Sequence, residues 1–247
     1  MRARPLIALA LLCALAGCQE SGFDESKETS RPLKVQHAMD PLTGTRVPGT
    51  AERPYTLTRD TLGDALALGV KPVGALVGGG SLPAYLTRAA GGVELSRDLD
   101  LGDIEAAEPD VILGAKELQE DDYDELRKIA PTIMSEGDDW KLNLRLHGEA
   151  LGRTNDAEAL LTDWDNRVAR VKRRIGDRKV SIVLTAKPPV REFSLEPGSI
   201  GGSVIGDLGL RQGGGGDVVL HVAGGLEWAG GGVLAARAAL ADVERAL

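Results

Sequence analysis

Cationic side chains follow three of the predicted strands, where they could meet an anionic ligand. Arg59 follows the strand-like stretch RPYTLT, Arg97 follows VELS and Lys116 follows DVILGA. The fork of an arginine guanidinium donates two hydrogen bonds at once to planar oxygen anions. Ligands of open α/β sheets bind beyond the carboxyl ends of the strands, so these residues are the first candidates for ligand contact. A solvated loop position is the alternative for each of them.

Four further residues complete the set of ligand-contact candidates. Ser81 lies in the glycine-rich loop GGGSLP, which follows the strand-like stretch PVGALV. Trp140 lies on an apolar helical stripe, where it either stacks on a ligand ring or packs in the core. Arg191 and Trp228 are the two candidates from the C-terminal part of the chain.

The sequence offers little for covalent catalysis. Of its three histidines, His37 lies in a stretch predicted to be flexible and His147 shares the apolar stripe of Trp140. His221 lies in the glycine-rich C-terminal stretch. No G-x-S-x-G, H-E-x-x-H or paired zinc-ligand motif occurs. We therefore expect no enzyme activity, no catalytic residue, no metal site and no resident cofactor.

Glycines cluster in LRQGGGGDVVLHVAGGLEWAGGG, residues 210–232. A phosphate-binding loop needs G-x-x-x-x-G-K-[ST] or G-x-G-x-x-G after a strand, and neither spacing fits. One remaining interpretation is a flexible hinge. The other, which we favour, is that the glycines close the ends of a deletion in a shortened domain, with DVVLHV as a remnant strand.

The charge balance argues against nucleic acid as a partner. The formal net charge is −8, whereas nucleic-acid binding that rests on general electrostatics needs a basic surface. The basic stretch RVKRRIGDR ends a predicted helix, where the helix dipole favours positive charge. It is therefore interpreted as a solvated helix end.

The N-terminus has the pattern of a secreted lipoprotein. A basic start is followed by an apolar run, Leu6–Leu15, that is too short to span a bilayer. The run ends in Ala-Gly-Cys18, which resembles a bacterial lipobox. We predict a signal peptide over residues 1–17 and a diacylated Cys18, with an ordinary signal peptide as the alternative.

Two acyl chains on Cys18 would hold the protein on the outer, periplasmic or extracellular, side of the cell membrane. Removal of Arg2 and Arg4 with the signal peptide takes the net charge from −8 to −10. Residues 18–50 are rich in Glu, Ser, Thr, Lys and Pro, which predicts a flexible linker.

Strands and helices alternate from residue 51 onward, which predicts an α/β fold with a parallel sheet. Residues 51–137 form the predicted N-terminal lobe and residues 176–247 a shortened C-terminal lobe. Between them, at 138–175, lie two helices. The second has apolar residues spaced three or four apart, and its length of about 20 residues corresponds to roughly 30 Å.

Several segments together resemble the iron-siderophore and vitamin B12 class of ABC-importer substrate-binding lipoproteins. They are LGDALALGVKPVGAL, DLDLGDIEAAEPDVILGAKELQEDDYDELRKIAPTI, HGEALGRTNDAEALLTDW, GSIGGSVIGDLGL and the pattern W-x-G-x-G-x-L-A-A of the last helix. The resemblance covers most of residues 51–247. It implies two Rossmann-like lobes joined by a long inter-lobe helix, with the ligand in the cleft between them and the second lobe truncated.

The resemblance also implies a function and partners. The expected ligand is a ferric siderophore, bound through hydroxamate, carboxylate or catecholate oxygens, and the expected recipient is an ABC permease. Aromatic residues make up only 3% of the chain, which favours a siderophore over the alternatives haem and cobalamin. Family members dock on the permease through one acidic residue per lobe. Asp103 or Glu105 is the candidate in the first lobe.

In the family, the second docking residue lies in a Pro-Glu segment, and this sequence shows no such segment. This departure leaves a rival hypothesis open: a degenerate surface lipoprotein that keeps the first lobe and has lost transport.

Overall fold

The computed structural model describes residues 31–177, 180–185, 192–193, 199–212, 218–223 and 231–247. Within these ranges the strands form a two-stranded, a five-stranded and a four-stranded sheet. The predicted signal peptide, Cys18 and the two candidates Arg191 and Trp228 lie outside the described residues.

An N-terminal β-hairpin forms where the sequence predicted a linker. Strand β1 (Leu33–His37) pairs antiparallel with β2 (Asp40–Val47). Val35 and Val47 face inward and join the core that also contains Ile133. The prediction of a flexible segment over residues 18–50 is therefore wrong for residues 33–47, because alternate residues of this polar stretch are buried against the first lobe.

The first lobe is a parallel sheet with the strand order β5-β4-β3-β6-β7. Its strands are β3 (Pro54–Thr56), β4 (Gly74–Leu76), β5 (Glu94–Ser96), β6 (Val111–Ala115) and β7 (Thr132–Ser135). Its helices are α1 (Arg59–Ala67), α2 (Ala84–Ala89), α3 (Leu101–Ala106), α4 (Lys116–Gln119) and α5 (Tyr123–Ile129). The central strands β3 and β6 are almost entirely buried, as expected for a parallel sheet covered by helices on both faces.

His37 fastens the hairpin to the edge strand β7. Its Nδ1 accepts a hydrogen bond from the backbone N–H of Met134 at 3.2 Å and one from that of Met39 at 3.4 Å. Since Nδ1 accepts, the neutral ring carries its proton on Nε2, which donates to Thr45 Oγ1 at 2.9 Å. The backbone N–H of Ala38 also donates to Met134 O at 3.0 Å. The hairpin thereby covers a sheet edge that would otherwise be open.

Two helices lead out of the first lobe. Helix α6 (Trp140–Ala150) is capped by Asp139, and α7 (Thr154–Ile175) continues for 22 residues, about 33 Å at 1.5 Å per residue. The buried positions of α7 recur every three or four residues, as the sequence predicted, from Ala157 to Ile175. A long inter-lobe helix is therefore present.

The second sheet is centred on β8 (Val180–Thr185). One side of β8 pairs in parallel with β11 (Val218–Ala223), and the short strands β9 (Glu192–Phe193) and β10 (Arg211–Gln212) also pair with it. Helix α8 (Ile200–Leu208) precedes β10 and ends at Gly209. The stretch DVVLHV, predicted as a remnant strand, lies in β11 apart from its first residue.

The last helix, α9 (Gly232–Ala246), packs against both lobes. It contacts α1 and α2 of the first lobe as well as α8 and β11 of the second. At its first turn the chain approaches α1 so closely that a Cβ on Gly63 would lie 2.0 Å from Gly231 O. Glycine at position 63 is therefore required by the contact between the two helices.

Acidification should weaken the hairpin through His37. Burial lowers the pKa of His37 from its ordinary value of 6.5, although Asp40 opposes this shift. As the pH falls below 6.5, the unfolded chain therefore takes up the proton before the folded chain, and stability decreases down to the folded-state pKa. We expect His37→Gln to cost about 1 kcal/mol at pH 8 and to flatten this pH dependence in urea unfolding between pH 8 and 5. Parallel curves for the two proteins would contradict the assignment.

A methyl group at position 63 should separate α1 from α9. We expect Gly63→Ala to lower the free energy of unfolding by about 1–3 kcal/mol, because the clash outweighs alanine's better helix propensity. Gly206→Ala is the matched control: Gly206 is also helical, and nothing lies within 4 Å of its added Cβ. The control should be neutral or gain up to about 1 kcal/mol. Equal effects of both substitutions on urea unfolding would contradict the explanation that Gly63 is required by the close contact between α1 and α9.

Candidate functional site

A cleft of about 500 Å³ lies at the carboxyl ends of strands β3 to β6. Its described lining consists of residues 57–60, residues 76–79, Arg97, Leu118 and Gln119. All of these belong to the first lobe. Loops at this edge of a parallel sheet are the usual ligand position in open α/β folds.

The start of α1 is fixed by a capping box. Thr58 Oγ1 accepts a hydrogen bond from the N–H of Thr61 at 3.1 Å, and Thr61 Oγ1 accepts one from the N–H of Thr58 at 3.1 Å. These reciprocal bonds satisfy two backbone donors at the end of the helix. They hold the next two residues, Arg59 and Asp60, in the wall of the cleft.

Arg59 supports the cleft wall. Its Nε donates to Val77 O at 2.8 Å and its Nη2 donates to Gly79 O. The loop it holds includes Gly78 with a φ of +65°, which is accessible to glycine without strain. Arg59 thus lies in the cleft, but its hydrogen bonds go to the neighbouring loop. Direct contact with a ligand stays a prediction.

Arg97 follows β5 on the far side of the same cleft and is exposed. In the part of the chain that the structure describes, no residue accepts a hydrogen bond from its guanidinium or pairs with its charge. All of its N–H donors therefore remain available to a ligand in the cleft or to water. Of the predicted cationic residues, Arg97 is the one best placed to meet a ligand.

Lys116 and Ser81 do not line this cleft. Lys116 begins α4 and pairs with Glu136 at 2.8 Å, and this hydrogen bond raises the pKa of the lysine. Ser81 is exposed in the loop that precedes α2. Sequence position after a strand was the only signal for both residues, and it does not fix where a side chain points.

Trp140 is 3% exposed and packs in the core. Its ring meets that of Trp164 edge-on with centroids 5.1 Å apart, and its Nε1 donates to Ser203 Oγ at 3.0 Å. The alternative of core packing therefore describes Trp140, and stacking on a ligand is not compatible with this burial. His147, on the same stripe, is also buried.

The two tryptophans belong to a cluster that ties the second lobe to the inter-lobe helices. Asp207 of α8 accepts a hydrogen bond from Trp164 Nε1 at 2.9 Å and pairs with Lys141 Nζ at 2.7 Å. The Lys141 ammonium lies 5.6 Å from the centroid of Trp140 and 5.9 Å from that of Trp164. Such cation–π contacts add to the ion pair. The DLGL segment was recognisable in the sequence, but this role of its aspartate was not predicted.

The two docking candidates lie on α3. Asp103 and Glu105 are exposed, and Asp100 caps the helix by accepting from the N–H groups of Gly102 and Asp103. Both carboxylates are therefore open to a partner. Contact with a permease stays a prediction.

The described residues contain neither a metal-binding cluster nor a membrane-spanning helix. No group of three or more His, Cys, Asp or Glu side chains there could hold a metal ion. No helix among these residues has the length and hydropathy needed to cross a membrane.

A parallel sheet with a cleft at its carboxyl edge, a long connecting helix and a second sheet define the class of two-lobed α/β binding proteins. Residues 56–212 match the family model described as periplasmic binding protein. The chain belongs to this family.

The chain is similar to several iron-uptake proteins. It is 31% identical to the probable siderophore-binding lipoprotein YfiY of Bacillus subtilis (strain 168), over 83% of this chain and 66% of that protein. It is 27% identical to the iron(3+)-hydroxamate-binding protein FhuD of the same strain, over 83% of this chain and 67% of the relative. The chain thus spans about two thirds of the length of these relatives, in keeping with a shortened second lobe.

Solved structures confirm the predicted fold class. The crystal structure of Staphylococcus aureus SirA complexed with staphyloferrin B has a TM-score of 0.60 and 29% identity, over 73% of this chain and 64% of that one. The petrobactin-binding protein YclQ of Bacillus subtilis has a TM-score of 0.63 over 87% of this chain and 98% of that one. Its 17% identity supports the fold alone.

Loss of the Arg59 guanidinium should loosen the loop after β4. We expect Arg59→Gln to accelerate amide exchange of Val77, whose N–H donates to Ser96 O at 2.9 Å, by roughly tenfold or more, because each charge-assisted hydrogen bond contributes about 1.5–3 kcal/mol. Arg97→Gln, which removes a guanidinium without described partners, should leave exchange in this loop unchanged. Similar exchange rates in both variants would show that Arg59 does not hold the loop.

Proposed function

We propose that this chain is a lipid-anchored substrate-binding protein of an ABC importer. It captures a ferric siderophore in the cleft between its lobes and hands it to a permease. The observation that carries the proposal is the cleft at the carboxyl edge of the first lobe, where the guanidinium of Arg97 has no partner among the described residues. Family membership and the names of the similar proteins support the same ligand class.

The cleft wall suits a chelate with an anionic rim and an apolar body. Arg97 supplies charge-assisted hydrogen bonds to oxygen anions, and Leu76 and Leu118 supply apolar surface. Iron is the cargo, and its ligands come from the chelator. Affinity then arises from area removed from water together with a few charged contacts, without a covalent step.

The opposing wall is the second lobe, whose position is set by rigid elements. The cluster of Trp140, Trp164, Lys141 and Asp207 fixes α8 to α6 and α7. A helical connection of this length resists the wide hinge motion that loop connections allow. We expect binding to be accompanied by small adjustments of the walls.

Anchoring and delivery complete the proposal. The lipobox-like sequence before Cys18 supports a diacylglycerol anchor on the outer face of the cell membrane. Asp103 and Glu105 are exposed on α3 and are the proposed permease contacts of the first lobe.

One observation favours a second candidate function. The chain spans only 66% of YfiY, and the proposed second lobe consists of residues 176–247 alone. A wall this small could leave the cleft open to water. The protein would then be a surface lipoprotein that no longer transports.

Titration with ferric chelates separates the two candidates. Tryptophan fluorescence should be quenched saturably by at least one ferric hydroxamate, catecholate or carboxylate chelate. Arg97→Gln should weaken binding of an anionic chelate about tenfold to a hundredfold, the value of one charge-assisted hydrogen bond. Arg170→Gln, an exposed arginine on α7, is the matched control and should bind like the wild type.

A flat response of the wild type to all three chelate classes would favour the degenerate lipoprotein. Saturable binding that is unaffected by Arg97→Gln would keep the receptor function and remove Arg97 from the site.

A further inference from the structure

The hairpin presents a distinct surface to solvent. Its outer face, defined here as Lys34, Gln36, Leu42 and Arg46, consists of exposed residues and contains no acidic side chain. The inward-facing Val35 and His37 hold the opposite side against the first lobe. The orientation of the outer face is therefore fixed by the fold.

Two cations stand directly opposite each other on this face. Lys34 of β1 and Arg46 of β2 are partners in the strand register, and like charges in that position destabilise a sheet. Among the described residues, neither side chain has an acidic partner. An unpaired like-charge pair on a chain of net charge −8 indicates that an anionic surface meets it.

The neighbouring concavity adds further positive charge, most of it already paired. Arg46 lines a hollow of about 400 Å³ together with Arg127 and Lys128 of α5. Arg127 pairs with Asp124 and Lys128 with Glu125. Asp40 also lines the hollow, and its carboxylate accepts from Thr43. Lys34 and Arg46 of the hairpin therefore carry unpaired positive charge, and Asp40 of the same hairpin keeps one negative charge beside the hollow.

Leu42 is the feature that selects a bilayer over a soluble polyanion. Its side chain is 88% exposed, the highest value among the large apolar residues of the described chain. An apolar side chain beside unpaired cations matches a headgroup region, where the leucine enters the acyl boundary and the cations meet phosphates. A soluble anionic polymer has no apolar region that could contact Leu42.

The hairpin is also close enough to a membrane to meet it. Leu33 follows Cys18 by fifteen positions (33 − 18), and fifteen extended residues reach at most about 50 Å. This step rests on the lipid anchor of the proposed function, whereas the charge and exposure of the hairpin do not.

We propose that the hairpin outer face docks on anionic phospholipid headgroups. The hollow next to Arg46 borders Pro131 and Thr132 at the amino end of β7, whereas the cleft lies at the carboxyl ends of the strands. A chain docked through its hairpin therefore holds the cleft away from the bilayer, open to incoming ligand. Delivery to a permease then requires release of this contact.

The test uses the full chain with Cys13→Ser and Cys18→Ser, so that no acyl chain can be attached. The apolar run Leu6–Leu15 remains, and it holds the chain on vesicles of either composition. An environment-sensitive dye is attached through Leu42→Cys or, as the control site, through Leu118→Cys, which replaces a leucine 69% exposed at the cleft. The vesicles are phosphatidylglycerol or phosphatidylcholine.

Docking predicts a blue shift of the dye at position 42 on phosphatidylglycerol, a much smaller one on phosphatidylcholine, and none at position 118. High salt and the double substitution Lys34→Glu and Arg46→Glu should abolish the shift. The matched reversal Arg170→Glu and Arg173→Glu, of two exposed cations on α7, should preserve it.

Equal shifts at both dye positions, on both lipids, or with both charge reversals would overturn the proposal. The same shift with soluble polyphosphate in place of vesicles would assign the face to an anionic polymer and overturn it as well. Since the chain tested carries no acyl group, failure here leaves the proposed anchor and siderophore binding untouched.

Discussion

Two carboxylates on one helix hold the two lobes together. Asp60 accepts hydrogen bonds from the N–H groups of Gly231 and Gly232, and Asp64 accepts one from Val233 at 2.7 Å. These three donors belong to the N-terminal turn of α9, where backbone N–H groups lack helical partners and the helix dipole is positive. Gly63, between the two aspartates, lets the backbones come close enough for the bonds to form.

At the buried end of this junction, the carboxylate of Asp64 is held by hydrogen bonds from two other helices. Asp64 is fully buried, and burial raises the pKa of its carboxyl group, while the hydrogen bond from His147 acts in the opposite direction. His147 Nδ1 lies 2.8 Å from Asp64 Oδ2. The N–H of Val233 at the start of α9 and the imidazole of His147 therefore favour the charged form of Asp64, against the effect of its burial. Removing the carboxylate would leave all of these partners buried without a replacement, so α1, α6 and α9 depend on one side chain.

Local features were predictable from the sequence, and contacts between distant segments were not. The stripe of α7 repeats every three or four residues, so its helix and its buried face could be inferred. The hairpin escaped notice because its polar residues and prolines have the composition of a linker, and only the burial of Val35 and Val47 reveals it. The cap of Asp60 joins positions 171 residues apart. No local pattern encodes such a contact, and the same holds for the bonds that direct Arg59 to its neighbouring loop.

The junction also determines the electrostatics of the cleft. Among the described residues, three formal charges line it: those of Arg59, Asp60 and Arg97. The carbonyl oxygens of Val77 and Gly79 engage Arg59, and the N-terminus of α9 engages Asp60. Both charges are thus partly compensated by fixed backbone dipoles, whereas that of Arg97 is not. A sum of formal charges would describe a wall with one net positive charge spread over the loops. Because hydrogen bonds compensate the other two charges, the attraction for an anion is concentrated at Arg97. Arg59 and Asp60 therefore shape the cleft, whereas Arg97 is the residue that would bind the ligand.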